Sequence, residues 1–277
     1  MTGRRMLSYI EEDSPVHSLC GATKLLVFLL WSILVMVSFH TPILLVLAVF
    51  GIAFFVVSKI RFSDVSFIFK MMALFLALNL AAVYLFSPEE GVKIYQSRNV
   101  ILEGAGRFTL TAEQLFYEFN ILLKYITIVP PAILLMVTTH PSEFAASLNR
   151  IGVPYTASYS VSLTLRYIPD VQRDYEAISQ AQQARGLELS RKASWVKRLK
   201  RTVPLLLPLI FSSLERIDVI SRAMELRGFG KNPRRSWYSA KPFSRADKLV
   251  LAISALLFAL GIWLTFRGGD RFFNPFK

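Results

Sequence analysis

Two arginine–glycine pairs offer the clearest chemistry in this sequence of 277 residues: Arg185 with Gly186, and Arg227 with Gly228. Each pair ends a copy of the pattern A-x-x-[AL]-R-G, and the second copy follows the first by 42 residues. A planar guanidinium can donate two parallel hydrogen bonds to a carboxylate, so it suits an acidic groove on a partner protein. A glycine just after a helix takes the left-handed conformation that ends it. The pattern therefore predicts two helices that each present an arginine at the tip.

A single arginine–glycine pair at a helix end would indicate ordinary capping and nothing more. Two copies within one basic segment favour docking onto a dimeric or pseudo-dimeric partner with two acidic sockets. The candidate docking residues are the last three of each copy: Ala184, Arg185, Gly186, Leu226, Arg227 and Gly228.

Residues with the spacing of a reactive site are otherwise absent from the sequence. The three histidines, His17, His40 and His140, are far apart, and Cys20 is the one cysteine, so we expect no metal site. No G-x-x-x-x-G-K-[ST] loop is present, so we expect no nucleotide phosphate to bind this chain. The chain is therefore not expected to be an enzyme or to hold a cofactor.

Long stretches without charge indicate that much of the chain lies in a membrane. No charged residue occurs between Lys24 and Lys59, and one helix through these residues would measure roughly 50 Å against a hydrocarbon core of about 30 Å. Pro42 opposes helix in the residue before it, which predicts a hairpin of two short spans. The five predicted spans cover residues 25–39, 42–57, 67–86, 111–139 and 249–266.

Two features complete the predicted membrane part. Residues 87–110 are polar and form a predicted external loop, after which Thr111-x-x-Gln114 is a capping pattern that opens the fourth span. Lys124 lies inside that span, where we expect it to snorkel to the outer surface or to pair with a neighbouring helix. The N-terminus is predicted to be cytoplasmic and the C-terminus external.

Residues 140–246 differ from the rest of the chain because they are both basic and periodic. They contain 18 Lys and Arg against 8 Asp and Glu, most of the net charge of +13. A basic excess between apolar spans is typical of cytoplasmic loops, so a nucleic-acid partner is not expected. Helical spacing of apolar residues predicts amphipathic helices at 142–150, 157–186 and 193–228. Pro169, Pro204 and Pro208 fall inside the last two helices and are possible hinges.

The predicted fold class is an all-α membrane protein with about five transmembrane helices plus a cytoplasmic domain of amphipathic helices. Residues 1–139 form the membrane domain with the first four spans, and residues 140–246 form the cytoplasmic domain. Residues 247–277 supply the last span and a C-terminal tail.

Four sets of motifs resemble the T component of energy-coupling factor (ECF) transporters, and together they cover nearly the whole chain. They are D-S-P-V-H-x-L at 13–19 with T-K-L-L at 23–26, T-T-H-P-S-E at 138–143 with L-N-R-I-G-V-P at 148–154, L-R-Y-I-P at 165–169, and A-M-E-L-R-G-F-G at 223–230. The last of these motifs is the most specific.

The resemblance implies a multi-pass, non-catalytic subunit of the bacterial cell membrane whose cytoplasmic domain carries two coupling helices. Their arginine motifs would dock into two ABC ATPases, of A and A′ type, which bind ATP and Mg, while this chain binds no cofactor. Within the bilayer, the family holds a small S component that captures a vitamin or a transition-metal ion. An alternative is a conventional ABC importer permease that forms the substrate path itself, which predicts one coupling loop rather than two arginine tips.

Overall fold

The computed structural model describes residues 14–103, 108–186, 195–232, 236–267 and 271–276, with side chains from 202 onward in the third range. Within these ranges the chain forms ten helices and one small antiparallel sheet. In chain order the elements are α1 (Pro15–Ser18), α2 (Gly21–Val37), α3 (Thr41–Val57), α4 (Phe62–Phe86), α5 (Glu90–Tyr95), β1 (Val100–Leu102), β2 (Leu110–Thr111), α6 (Ala112–Thr138), α7 (Pro141–Arg150), α8 (Tyr155–Ala184), α9 (Trp195–Leu226) and α10 (Arg245–Phe266).

The helices divide into two compact units. The membrane unit comprises Met1–His140 and Ala240–Lys277, and the basic unit comprises Pro141–Ser239. The two units are groups of helices that contact one another. The predicted domains, in contrast, separate the residues expected in the membrane from those expected in the cytoplasm. The predicted domain boundaries therefore stay a prediction.

Five apolar helices build the membrane unit, which confirms the all-α membrane fold class. Among the described residues, α4, α6 and α10 are long and apolar enough to cross a bilayer, while α2 and α3 have 17 residues each. A helix of that length spans roughly 25 Å, slightly less than the hydrocarbon core. The predicted hairpin is confirmed, because α2 ends at Val37 and α3 begins at Thr41 with Pro42 in its first turn.

Helix α6 lies at the centre of the membrane unit and packs against α2, α3, α4 and α5. In the most apolar segment of α6, 39% of the residues are buried, against 6% in that of α4, so α4 lies at the periphery of the unit. Helix α4 begins at Phe62, five residues before the predicted start of its span at 67. The charged residue Asp64 lies in its first turn, where it suits the positive end of the helix dipole.

The segment before α6 is more ordered than the predicted loop, because it contains α5, β1 and β2. As predicted, Thr111 caps α6 by accepting a hydrogen bond from the backbone N–H of Gln114 (3.3 Å). The Gln114 side chain, however, accepts from the N–H of Gly91 (3.0 Å) instead of completing the capping box. A Cβ on Gly91 would lie 2.4 Å from the carbonyl oxygen of Glu113, so only glycine allows α5 to approach α6 this closely.

One carboxylate, that of Asp247, caps two helices at the opposite end of the unit. It accepts from the N–H (2.8 Å) and hydroxyl (2.7 Å) of Ser244, the N-cap of α10, in a capping box. It also accepts from the N–H of Cys20 (2.9 Å), the N-cap of α2. The box explains why α10 begins at Arg245 rather than at the predicted residue 249.

The C-terminal tail, residues 271–276, returns to the end of the unit where α2 meets α3. Phe39 donates its N–H to the carbonyl of Arg271 (3.1 Å) and accepts from the N–H of Phe273 (3.3 Å). Asn274 donates to the carbonyl of Tyr95 (3.0 Å), the last residue of α5. Burial, followed by the neighbouring Tyr117, raises the pKa of Tyr95 to about 12, so its phenol stays neutral within this aromatic cluster. The tail and α5 therefore lie on one side of the membrane.

A contact between α2 and α10 gives a first testable prediction. A Cβ on Gly261 would lie 2.7 Å from Cδ2 of Leu34, so Gly261→Ala forces that side chain to move and should cost about 1–3 kcal/mol. Gly51→Ala is the control, because its nearest neighbours would be 3.6 Å away. Thermal unfolding of the purified chain in detergent should show a lower midpoint for the first variant only. Equal midpoints would contradict this account of the contact.

Candidate functional site

The first arginine–glycine pair ends α8 as predicted. The helix stops at Ala184, Arg185 is its C-cap, and Gly186 has a φ of +90°. The N–H of Gly186 donates to the carbonyl of Gln183 (3.0 Å), which closes the last turn. Arg185 is exposed. The glycine thus turns the chain away at a point where the arginine side chain is accessible to a partner.

The second pair ends α9 with the complete hydrogen-bond pattern of a Schellman motif. Gly228 has a φ of +66°, its N–H donates to Glu225 (2.9 Å), and the N–H of Phe229 donates to Met224 (2.9 Å). Arg227 is exposed, and Leu226 beside it is 89% exposed. Capping explains the glycine, but it does not require an exposed leucine next to an arginine. This combination is typical of a surface that a partner covers.

Aromatic contacts show that α8 and α9 run in opposite directions within the basic unit. The ring of Phe229, just beyond the end of α9, lies 5.5 Å from that of Tyr155 and 4.9 Å from that of Tyr159, at the start of α8. Arg227 is therefore close to the start of α8, whereas Arg185 is at its end. The two arginine tips lie at opposite ends of one helix pair.

An ion pair joins the two helices between the tips, and we call it the crossing clamp. Arg216 of α9 donates to Asp174 of α8 at 2.7 Å, and a second guanidinium nitrogen lies 3.8 Å from Asp170. The side chains of Arg216 and Asp174 are 34% and 28% exposed, so the pair is partly shielded from water. The guanidinium also lies 5.9 Å from the ring centroid of Tyr167. These contacts hold α8 and α9 together at a second place along the pair, away from the aromatic contacts.

The crossing clamp was not among the residues predicted from the sequence. Its partners are separated by 42 residues, the same offset as the two arginine–glycine pairs. They therefore occupy equivalent positions in the two copies of the repeat. The sequence does show opposite charges at these equivalent positions. They indicate an ion pair only once α8 and α9 are known to pack together there.

The three predicted hinge prolines lie inside the two helices, Pro169 in α8 and Pro204 and Pro208 in α9. Each proline lacks the backbone N–H that would donate within its helix, and its ring is too close to the carbonyl four residues earlier, which favours a bend. Pro169 directly precedes Asp170 of the crossing clamp. A bend at this proline would change the angle at which the helices cross, although hinge motion itself stays a prediction.

Metal-binding groups are not assembled in the part of the chain that the structure describes. No three His, Cys, Asp or Glu side chains there could hold one metal ion. The arrangement instead suits binding of another protein, through two separated cations on a braced scaffold.

The crossing clamp gives a second prediction, in the form of a charge reversal with rescue. Arg216→Asp should weaken the packing of α9 against α8 by about 0.5–3 kcal/mol, because the ion pair is lost and the new carboxylate is repelled by two aspartates. The midpoint of thermal unfolding of the purified chain should fall with it. Combining it with Asp174→Arg restores opposite charges across the helices and should recover most of the lost midpoint. A double variant no better than the single variant would contradict a role for this pair.

The chain is similar to known proteins over most of its length. The model of the family described as "Cobalt transport protein" (CbiQ) matches residues 12–237. The energy-coupling factor transporter transmembrane protein EcfT of Streptococcus thermophilus is 27% identical over 265 residues, which cover 91% of this chain and 96% of that protein. The proteins of the same name from Lactococcus lactis subsp. cremoris and Limosilactobacillus fermentum are 27% and 28% identical, covering 95% and 91% of this chain and 98% and 94% of their own lengths.

Proposed function

Because the chain belongs to the CbiQ cobalt transport protein family, we propose that it is the energy-coupling transmembrane scaffold of an ECF-type importer. The family match and the apolar helices identify it as a multi-pass transport protein of the bacterial cell membrane. In the proposed complex it links two ABC ATPases, of A and A′ type, to a small membrane S component. The S component carries the substrate, a vitamin or a transition-metal ion.

The observation that carries the proposal is the pair of exposed arginines at opposite ends of one clamped helix pair. Two separate tips can engage two separate proteins, and each guanidinium matches a carboxylate in a groove. The apolar side chain of Leu226 would be buried beside its arginine, as is usual for the centre of an interface. A conventional permease, the alternative, needs one coupling loop per chain and gives no reason for the second tip.

An exposed apolar stripe on α9 supports an S component as the second kind of partner. Its members recur three and four residues apart and so lie on one face of the helix: Val203, Leu207, Ile210, Leu214 and Ile217. A continuous apolar face on a basic, charged unit is costly in water, so another apolar surface should cover it. In our proposal, ATP-driven motion of the ATPases tilts α8 and α9, and this stripe transmits the tilt to the S component.

The catalytic chemistry belongs to the partners in this proposal. The chain has no phosphate-binding loop, so ATP and Mg would be bound by the ATPases. The purified chain alone is accordingly expected to hydrolyse no ATP and to bind substrate weakly at most.

Purification of the tagged chain from its native membrane tests the function. We expect two ATPase polypeptides and one small membrane protein to accompany it, and ATP hydrolysis to appear only in the assembled complex. Hydrolysis by the isolated chain would contradict the assignment, as would a complex with ATPases that takes up substrate without any further membrane protein.

A further inference from the structure

Two cations face one aromatic ring at the end of the membrane unit where the C-terminal tail returns. The Nζ of Lys124 lies 3.2 Å from the ring centroid of Phe39 and donates to the carbonyl of Met36 (3.1 Å). The guanidinium carbon of Arg271 lies 5.6 Å from the same centroid. We call Lys124 and Arg271 the Phe39 cation pair. Lys124 thus pairs with a neighbouring helix, one of the two outcomes expected from the sequence, and Arg271 is a second positive charge beside the same ring.

Two of the described carboxylates near this end of the unit pair with other cations. Glu90 pairs with Lys93 (3.5 Å), and Glu89 pairs with Arg98 (3.7 Å). Neither member of the Phe39 cation pair has a carboxylate within 4.0 Å in the described ranges. Two like charges beside one ring repel each other, more strongly at a membrane boundary than in water. An anion close to both would relieve this repulsion.

The Phe39 cation pair lies at the boundary of the bilayer. Met36, whose carbonyl Lys124 binds, is in the last turn of α2, and its side chain is 66% exposed. The hydroxyls of Thr265 and Ser38 are hydrogen-bonded to each other (3.0 Å), which places the last turn of α10 at the same level. There Trp263 is 56% exposed, and the Arg267 guanidinium lies 4.9 Å from its ring. Tryptophan with a cation at the end of an apolar helix is typical of the lipid headgroup region.

We propose that the Phe39 cation pair binds the phosphate of an anionic phospholipid in the adjacent leaflet. Lysine supplies a compact charge with unused N–H donors, and arginine supplies a fork, so both can donate to phosphate oxygens. The acyl chains would run along the exposed side chains of Met36 and Ile33 on α2. Bound in this way, the lipid links α6 to the C-terminal tail.

Native mass spectrometry of the full chain with phosphatidylglycerol tests the proposal. The variant Lys124→Gln/Arg271→Gln should retain this lipid about ten- to thirty-fold less well than the unmodified chain. The matched control is Lys93→Gln/Arg98→Gln, which removes two positive charges from the same end but leaves the site intact. The control should retain the lipid within about twofold of the unmodified chain.

Three further measurements make the result decisive. Lys124→Arg/Arg271→Lys keeps both charges and should retain the lipid, which separates binding from any loss of folding. Phosphatidylcholine should be retained poorly by all forms, because its headgroup has no net charge. Inorganic phosphate should not displace phosphatidylglycerol. Equal lipid loss in the two glutamine variants, or displacement by inorganic phosphate, would overturn the proposal.

Discussion

Cells that produce Arg185→Ala/Arg227→Ala should lose uptake, and the purified variant should lose its ATPases while the membrane unit stays folded. Each arginine is exposed at a helix end, so under the proposed function its removal takes away a docking contact, and it takes away no core contact. Losing one member of a desolvated, hydrogen-bonded ion pair typically costs about 2–5 kcal/mol, partly because the remaining carboxylate is left unpaired. Each single variant should therefore impair uptake strongly, and the double variant should abolish stable association.

Three controls separate docking from helix capping. Arg222→Ala removes a nearby exposed arginine of α9 whose guanidinium is held by Asp218 (2.7 Å), and it should change uptake little. Arginine-to-lysine changes at the two tips should fail in part, since a point charge cannot reproduce the fork. If capping is the whole role of the motifs, Gly186→Ala and Gly228→Ala should hurt at least as much as the arginine changes, because both glycines have positive φ. Normal uptake and ATPase retention in the double arginine variant would refute the coupling assignment.

Asp247→Ala should destabilise the membrane unit more than any other change considered above. The side chain is 1% exposed, and it accepts hydrogen bonds at the starts of both α2 and α10. Its removal leaves buried donors unpaired, which should lower the free energy of unfolding by about 3–5 kcal/mol. For a chain of this size the midpoint of thermal unfolding should fall by about 10 °C.

Asp64→Ala is the matched control for this prediction. Asp64 and Asp247 are both the third residue of an apolar helix, α4 and α10 respectively, but Asp64 is exposed. Its loss removes a helix-dipole interaction worth about 0.3–1 kcal/mol. The two variants should be compared by thermal unfolding in the same detergent. Similar midpoints would show that Asp247 does not join the two helices.

The features predicted correctly from the sequence are those that depend on residues close together in the chain. The break before Pro42, the N-cap at Thr111 and the glycine-ended helices α8 and α9 are local, and the structure confirms all of them. A run of apolar residues likewise shows by itself that a helix suits lipid. Such signals are sufficient for the fold class and for the position of both arginine tips.

The features that were missed depend on partners far along the chain. Asp247 looks like the ordinary third residue of a helix until Cys20 is placed beside it, 227 residues away. The contacts that Gly91 and Asn99 make with the start of α6 depend on Glu113 and Gln114, which are polar side chains buried there. Periodicity reports which face of an element is apolar, but it does not report which distant donor a buried carboxylate binds.

The crossing clamp lies midway between the two arginine tips. Arg185 lies eleven residues beyond Asp174, and Arg227 lies eleven residues beyond Arg216. Because α8 and α9 run in opposite directions, these two stretches leave the clamp toward opposite ends of the pair. At the rise of an α-helix each stretch measures about 16 Å, so the two arginines are about 33 Å apart along the pair. Tips this far apart cannot share one groove, so under the proposed function each needs a binding groove of its own.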